Sequence, residues 1–317
     1  MDILKQLTTE LEVRYEQVEA AVKLIDEGNT IPFIARYRKE ATGALNDEVL
    51  RNLDERLNYL RGLEEKKEQI LRTIEEQGKL TEELKGQIES ATTMVMLEDL
   101  YRPYRPKRRT RATIAQEKGL EPFAQLILAQ NSTVDLTESA SAYISEEKEV
   151  KTAEEAIAGA LDIIAEKISD NAEYRGYIRE ITMQEGGIIS TAKEEGMESV
   201  YEMYYNFNEK LSTLPGHRIL ALNRGENEKV LTVKVQAPEE QILNYLETKV
   251  IINENPYTTN NLKATIVDSY HRLIAPAIER EIRNELTEKA EEGAIKVFGK
   301  NLEQLLLHHI QQRKVTT

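Results

Sequence analysis

Apolar side chains recur along this chain mostly at intervals of three and four residues, the spacing of helices that bury one face. Val18, Val22 and Ile25 share such a face, with Ala21 and Leu24 beside it, and Gly28 stands where a left-handed residue would end the helix. A second helix is expected to start at Asn46 or Asp47 and to run through Val49, Leu50, Leu53, Leu57, Leu60, Ile70, Leu71 and Ile74 to Gly78. The 3-4-3 spacing from Leu50 to Leu60 has the look of a coiled-coil seam, but it is too short for a long coiled coil and predicts a packed helical hairpin. Thr81 opens the next segment, and Met94, Leu97 and Leu100 continue a helical face until Pro103 stops it.

Further along, GLEPFAQLILAQ reads as a short helix with Pro122 in its first turn. Thr152 and Glu155 form a capping-box pair ahead of AIAGALDIIAEKI, and Asp170 or Asn171 caps a helix ending at Gly186-Gly187. Alternation replaces helical spacing in GHRILALNRGENEKVLTVKVQ. Leu220 and Leu222, then Leu231, Val233 and Val235, flank a turn-like stretch over 223–229, which predicts a β-hairpin near residues 216–236. Helices return after Pro238, bent or broken at Pro276, and the apolar pattern fades in HHIQQRKVTT, as in a tail or a chain cut just before another domain. The expected fold class is mainly α, a multi-helix region with a small β-hairpin or sheet element. Two lobes are expected, a helical one over 1–110 and a second over 111–317 that carries the hairpin, although no repeat or low-complexity linker marks the boundary.

Composition suits a soluble, helix-rich protein: of 317 residues, 31% are charged and 40% hydrophobic. No run approaches the roughly 18 uncharged apolar residues of a membrane span. The N-terminal MDILKQLTTELEVRYEQ carries charge where a signal peptide would be apolar, so a cytoplasmic location is expected. The absence of cysteine excludes disulfides, thiolate metal sites and a cysteine nucleophile. None of His217, His271, His308 and His309 has another histidine three or four residues away, so no zinc site is expected. The carboxylates interleave with lysine and arginine, as in Glu64, Glu65, Lys66, Lys67 and Glu68, the pattern of a solvated helix face. No glycine motif for cradling a nucleotide phosphate is present. An enzyme is therefore not expected, nor a cofactor, a metal, a small-molecule substrate or a membrane partner.

Charge changes the reading at two places. A formal net charge of −14 repels nucleic acid at long range, so any contact with it must be local. Yet residues 101–111, YRPYRPKRRTR, hold Arg102, Arg105, Lys107, Arg108, Arg109 and Arg111. Pro103 and Pro106 favour extended backbone there, from which these cations can track phosphates while Tyr101 and Tyr104 offer rings for unpaired bases. The same stretch can equally dock on the protein's own carboxylates, and sequence leaves both readings open. In IPFIARYRKEATGALNDE, Arg36, Arg38 and Lys39 alternate with Tyr37. Here a helix–loop–helix connection is favoured, with Phe33 and Ile34 anchoring the core, and a basic contact is the alternative.

Four blocks, TIPFIARYRKEATGALND, YRPYRPKRRTRATIAQEKGLEP, ALNRGENEKVL and IEREIRNELTEKAEEGAIKVFGKNLEQLLL, resemble the bacterial Tex family of transcription accessory proteins. They extend over nearly the whole chain and in the family's order. The resemblance implies a largely helical N-terminal region that precedes an RNase-H-like domain, a helix-hairpin-helix module and a C-terminal OB-fold RNA-binding domain. The chain looks like that N-terminal region alone. It implies RNA or DNA as a partner, together with the transcription machinery, although the family's nucleic-acid binding is credited mainly to the OB-fold domain. A nucleic-acid-binding accessory role, with this portion as binding surface and scaffold, is the expectation; a helical protein-interaction scaffold is the alternative.

Overall fold

The computed structural model describes residues 2–194, 196 and 198–315, with side chains as far as residue 306. The chain forms two compact units, residues 1–105 and residues 106–317.

The first unit is helical throughout its regular structure. Helices α1 (Ile3–Leu11), α2 (Tyr15–Asp26) and α3 (Ile31–Tyr37) precede α4 (Asp47–Glu76), and α5 (Glu82–Ser90) and α6 (Met94–Tyr101) follow it. Asn46 caps α4 by accepting the Val49 N–H at 2.8 Å, and Thr81 and Thr93 cap α5 and α6 at 3.2 Å. Gly28 and Gly78 lie at positive φ just beyond α2 and α4. At 30 residues, α4 is about 45 Å long and acts as a spine. Its buried positions, from Leu50 through Leu57 and Leu63 to Ile74, face two separate cores. The first half packs on Leu7, Val18, Ala21, Val22 and Ile34 of α1–α3, and the second half on Leu84, Ile88 and Leu97 of α5 and α6. Lys67 sits in this apolar stripe at 3% exposure. Its ammonium donates to Glu64 at 2.8 Å and to the Glu89 carbonyl at 2.9 Å, which offsets its desolvation.

The second unit runs α7 (Arg111–Glu117), α8 (Glu121–Ala129), α9 (Leu136–Ala140), α10 (Ala153–Ser169) and α11 (Ala172–Glu185). Strands β1 (Gly187–Ala192) and β2 (Asn206–Lys210), helix α12 (Gly216–Asn227) and strand β3 (Leu231–Gln236) come next. Helices α13 (Glu239–Val250), α14 (Thr259–Ser269) and α15 (Ala275–Val315) complete it. Helix α10 is central and packs on α7, α8 and α9, and Gly159 admits Leu120 and Ala115 where a Cβ would collide with the Leu120 side chain. Thr152 caps α10, while the Glu155 carboxylate reaches the Lys151 N–H at 2.7 Å. The strands form one antiparallel sheet in the order β2-β1-β3, with Ser190 of β1 opposite Phe207 of β2 and Val233 of β3.

The hairpin expected near 216–236 is corrected in its first arm. Gly216–Asn227 is helical, and β3 pairs with β1 instead. The i, i+2 match of Leu220 with Leu222 misled, because the buried positions are Ile219, Leu222 and Gly225, spaced by three. A Cβ on Gly225 would stand 2.6 Å from Leu231 Cδ1, so the glycine is what lets α12 lie against β3. The break expected at Pro276 is instead a single wide turn, the π-helix Tyr270–Ile274, and the chain stays helical past the missing N–H of Pro276. Helix α15 keeps its backbone to Val315, where the fading pattern suggested a tail. Its early residues Ile278, Ile282 and Leu286 are buried, whereas Ile295, Phe298, Leu302 and Leu305 are exposed. The side chains of His308 and His309 lie outside the described residues.

Candidate nucleic-acid interface

The chain passes from the first unit to the second inside the basic stretch, between Arg105 and Pro106. On the first side, the backbone is not extended where Pro103 suggested it. Arg102–Tyr104 is a 3-10 turn that prolongs α6, and Pro103, with no N–H to continue the α-helical ladder, stands where α geometry gives way to it. Extended geometry begins at Arg105, with φ −68° and ψ 135° ahead of Pro106. Because the helix continues into this turn, Tyr101 and Tyr104 pack half-buried against the core of α5 and α6. Gln77 holds the turn by donating to the Tyr104 carbonyl at 2.9 Å. Arg102 is half-buried, and exposed Arg105 lies 3.7 Å from Glu98.

On the second side, Lys107 bonds to Asp170 and stands 3.2 Å from Glu166, at the C-terminal end of α10. A cation there also stands near the negative end of the helix dipole. Arg109 lies 3.1 Å from Glu117, with both side chains mostly exposed, an arrangement of small energetic weight. Arg108 is exposed and has no hydrogen bond or ion pair among the described residues. Arg111 begins α7, exposed, near a cluster of Asp162, Asp268 and Arg272. Hydrogen bonding from Arg272 holds the Asp268 carboxyl below the usual range, and Arg111 adds to this; burial pushes Asp162 up against the pull of both cations.

The second basic place is built differently. Ile34 is fully buried and fixes α3 on the first core, while the following loop is pinned at three points. Thr42 is buried and donates to the Arg38 carbonyl at 3.3 Å. The Gln17 amide donates to the Gly43 carbonyl at 2.8 Å and the Thr42 carbonyl at 3.3 Å. Leu45 then closes over the core ahead of α4. Between these anchors Arg36, Tyr37, Arg38 and Lys39 all face solvent. None of the three cations has a carboxylate partner among the described residues. Instead the Arg38 guanidinium lies 5.3 Å from the Phe33 ring centroid and that of Arg36 6.0 Å from Tyr37. The two rings are 5.3 Å apart, tilted by 47°.

The structure thus brings Arg36, Arg38 and Lys39 together on one ledge of the first unit, with Phe33 and Tyr37 among them. Phe33, expected as a core anchor, is only half-buried, and of the two expected anchors only Ile34 is buried, with Ile31 and Ala35 packed beside it. The signal for the ledge was the i, i+4 pairing of Phe33 with Tyr37, which puts both rings on one face of α3. Among the described residues no helix is long and apolar enough to cross a membrane, and no group of three or more His, Asp or Glu is placed to hold a metal ion.

Comparison with known proteins decides the family. A model of the Tex-like protein N-terminal domain matches residues 1–75, and one of the Tex central region matches residues 131–298. The chain belongs to the Tex family. The ledge lies inside the first of these matches, and the basic stretch at 101–111 lies between the two. Protein YdcI of Bacillus subtilis (strain 168) is 47% identical over 306 residues, covering 96% of this chain and 43% of its own. The transcriptional accessory protein Tex of Neisseria gonorrhoeae is 42% identical over 315 residues, covering 97% of this chain and 41% of its own. The human S1 RNA-binding domain-containing protein 1 is 31% identical over 303 residues, covering 90% of this chain and 30% of its own. The chain therefore spans less than half the length of these relatives.

Proposed function

We propose that this chain is the helical, nucleic-acid-contacting portion and scaffold of a cytoplasmic transcription accessory protein, touching RNA or DNA phosphates through local exposed cations. The observation that carries the reading is how the basic residues divide. Lys107 faces two carboxylates, whereas Arg36, Arg38 and Lys39 have none among the described residues of a chain whose net charge is −14. Cations left open in so acidic a protein are suited to phosphate oxygens. Arg108, and Arg109 on giving up its weak pair with Glu117, supply the same chemistry from the second unit. The printed names of the Neisseria and human relatives, a transcriptional accessory protein and an S1 RNA-binding domain-containing protein, support a nucleic-acid role. No catalytic step is assigned to this chain.

A fluorescence-polarisation titration of a labelled oligonucleotide at several salt concentrations tests the reading. On a single strand each phosphate-bound cation contributes about −0.7 to the slope of log K against log salt, so the three cations of the ledge give about −2. A flat salt dependence, or no binding at low salt, contradicts it.

A second reading has its own support. Tyr101 and Tyr104 rest on the core, Lys107 docks on α10, and the row Ile295, Phe298, Leu302 and Leu305 is exposed along α15. These suit a protein-interaction scaffold that touches no nucleic acid. Reversing Arg108 and Arg109 to glutamate separates the two. Under both readings the melting temperature holds, because Arg108 has no partner among the described residues and the Arg109 pair is weak; under the first affinity falls, and under the second there is no binding to lose.

A further inference from the structure

We infer that the Phe33–Tyr37 ledge is a stacking platform for unpaired bases, so that the strand it takes is single and not duplex; this rests on the nucleic-acid reading above. Tyr37 is 60% exposed although its backbone is held on a buried scaffold, so its ring is open to a ligand. Its neighbours at 33, 36, 38 and 39 supply a second ring and three cations without carboxylate partners. This is the pairing of flat π surface and positive charge that single-strand sites use, the rings taking base faces and the cations the backbone. In a duplex the base faces are stacked on one another and offer nothing to a tyrosine. An acidic peptide would use the guanidinium groups but has no face for the ring, which would stay in water. Tyr101 and Tyr104 lack this freedom because their rings lie against the core of α5 and α6.

The ledge is also preorganised. Ile34 in the core, buried Thr42 and the Gln17 bridge to Gly43 fix the backbone on both sides of residues 36–39. A strand that binds there orders little protein, so more of the stacking shows as affinity.

The test uses the full chain, a labelled thymidine oligomer of about twelve nucleotides and a labelled duplex of equal length, a size within single-strand site lengths. Tyr37→Leu is expected to weaken single-strand binding roughly 5- to 150-fold with the salt slope unchanged, and Tyr37→Phe to restore it. Duplex binding is expected to be weaker than single-strand binding in the wild type and unmoved by Tyr37→Leu. Lys39→Gln is expected to weaken binding and to make the slope shallower by about 0.7, since it removes a phosphate contact and no ring. The melting temperature of Tyr37→Leu should match the wild type, which separates stacking from misfolding. If wild-type binding is salt-dependent but Tyr37→Leu leaves it intact, or weakens duplex and single strand alike, the platform is overturned and the phosphate reading stands. If a polyglutamate peptide displaces the oligomer at equal charge concentration, the ledge is an acidic-peptide site and the platform is again overturned. If the wild type binds neither oligonucleotide at low salt, both readings fail.

Discussion

Lys107 and Arg108 are neighbours in sequence and opposites in circumstance. Lys107 is held between Glu166 and Asp170, its side chain 24% exposed, whereas Arg108 meets water. Lys107→Met would leave two largely buried carboxylates facing each other, and is expected to cost about 1–3 kcal/mol of stability by urea denaturation. Arg108→Ala should stay within about 0.5 kcal/mol of the wild type in the same measurement. Nothing in YRPYRPKRRTR distinguishes these two residues, because what separates them is a partner 63 positions away. The tyrosines were illegible for a related reason: the side on which Tyr101 and Tyr104 point depends on α6 running on into a 3-10 turn, which Pro103 permits. At Tyr37 the alternation with arginine was visible, but its exposure depends on which face of α3 is turned to the core by Ile34, with Ile31 and Ala35 packed beside it.

Among elements, long periodic helices were the most legible. The stripe from Leu50 to Ile74 specifies α4 and its caps, and each of these leucines stabilises through burial, so Leu57→Ala is expected to cost about 2–5 kcal/mol in denaturant unfolding. The sheet was partly legible. Leu231, Val233 and Val235 do alternate as a strand, but their partners are Ala192, Ser190 and Ile188 of β1, 39 to 47 residues earlier in the chain, and not the adjoining segment. Helix α12 escaped notice because one of its buried positions is a glycine, which carries no hydrophobic signal. Gly225→Val would force Leu231 and Tyr201 aside and is expected to lower stability by about 1–3 kcal/mol, read as a shift in urea midpoint. A Gly225→Val protein as stable as the wild type would show that α12 does not lie so close to β3.

For the whole molecule, the ion pairs its carboxylates make set how stability depends on pH. Side-chain hydrogen bonds from Arg56 and Arg61 hold the Glu10 and Asp26 carboxyls below their ordinary values, and Arg272 does so for Asp268. Groups depressed in this way contribute stability that is complete above the unfolded carboxylate values near 4 and is lost as pH falls through the folded ones. The melting temperature is therefore expected to fall with acidification below about pH 4, by a modest amount because the pairs are partly exposed. At the alkaline end burial raises the Tyr270 phenol to about 12. Its contribution has the opposite sign, present below the ordinary tyrosine value near 10 and lost as pH rises toward the folded one. Thermal melts across pH check both limbs; a flat acid limb would mean that those ion pairs do not form in solution.

On the proposed reading, binding at this scale is a contest between a net charge of −14 and a few open cations, and the most direct measurement removes those cations. The full chain and its Arg36→Glu, Arg38→Glu, Lys39→Glu variant are titrated by polarisation against one single-stranded oligonucleotide at low salt, with thermal melts of both. Binding by the wild type, lost in the variant at an unchanged melting temperature, is the expected result. A variant that binds as tightly as the wild type, or a wild type that does not bind, would contradict a nucleic-acid surface on this ledge.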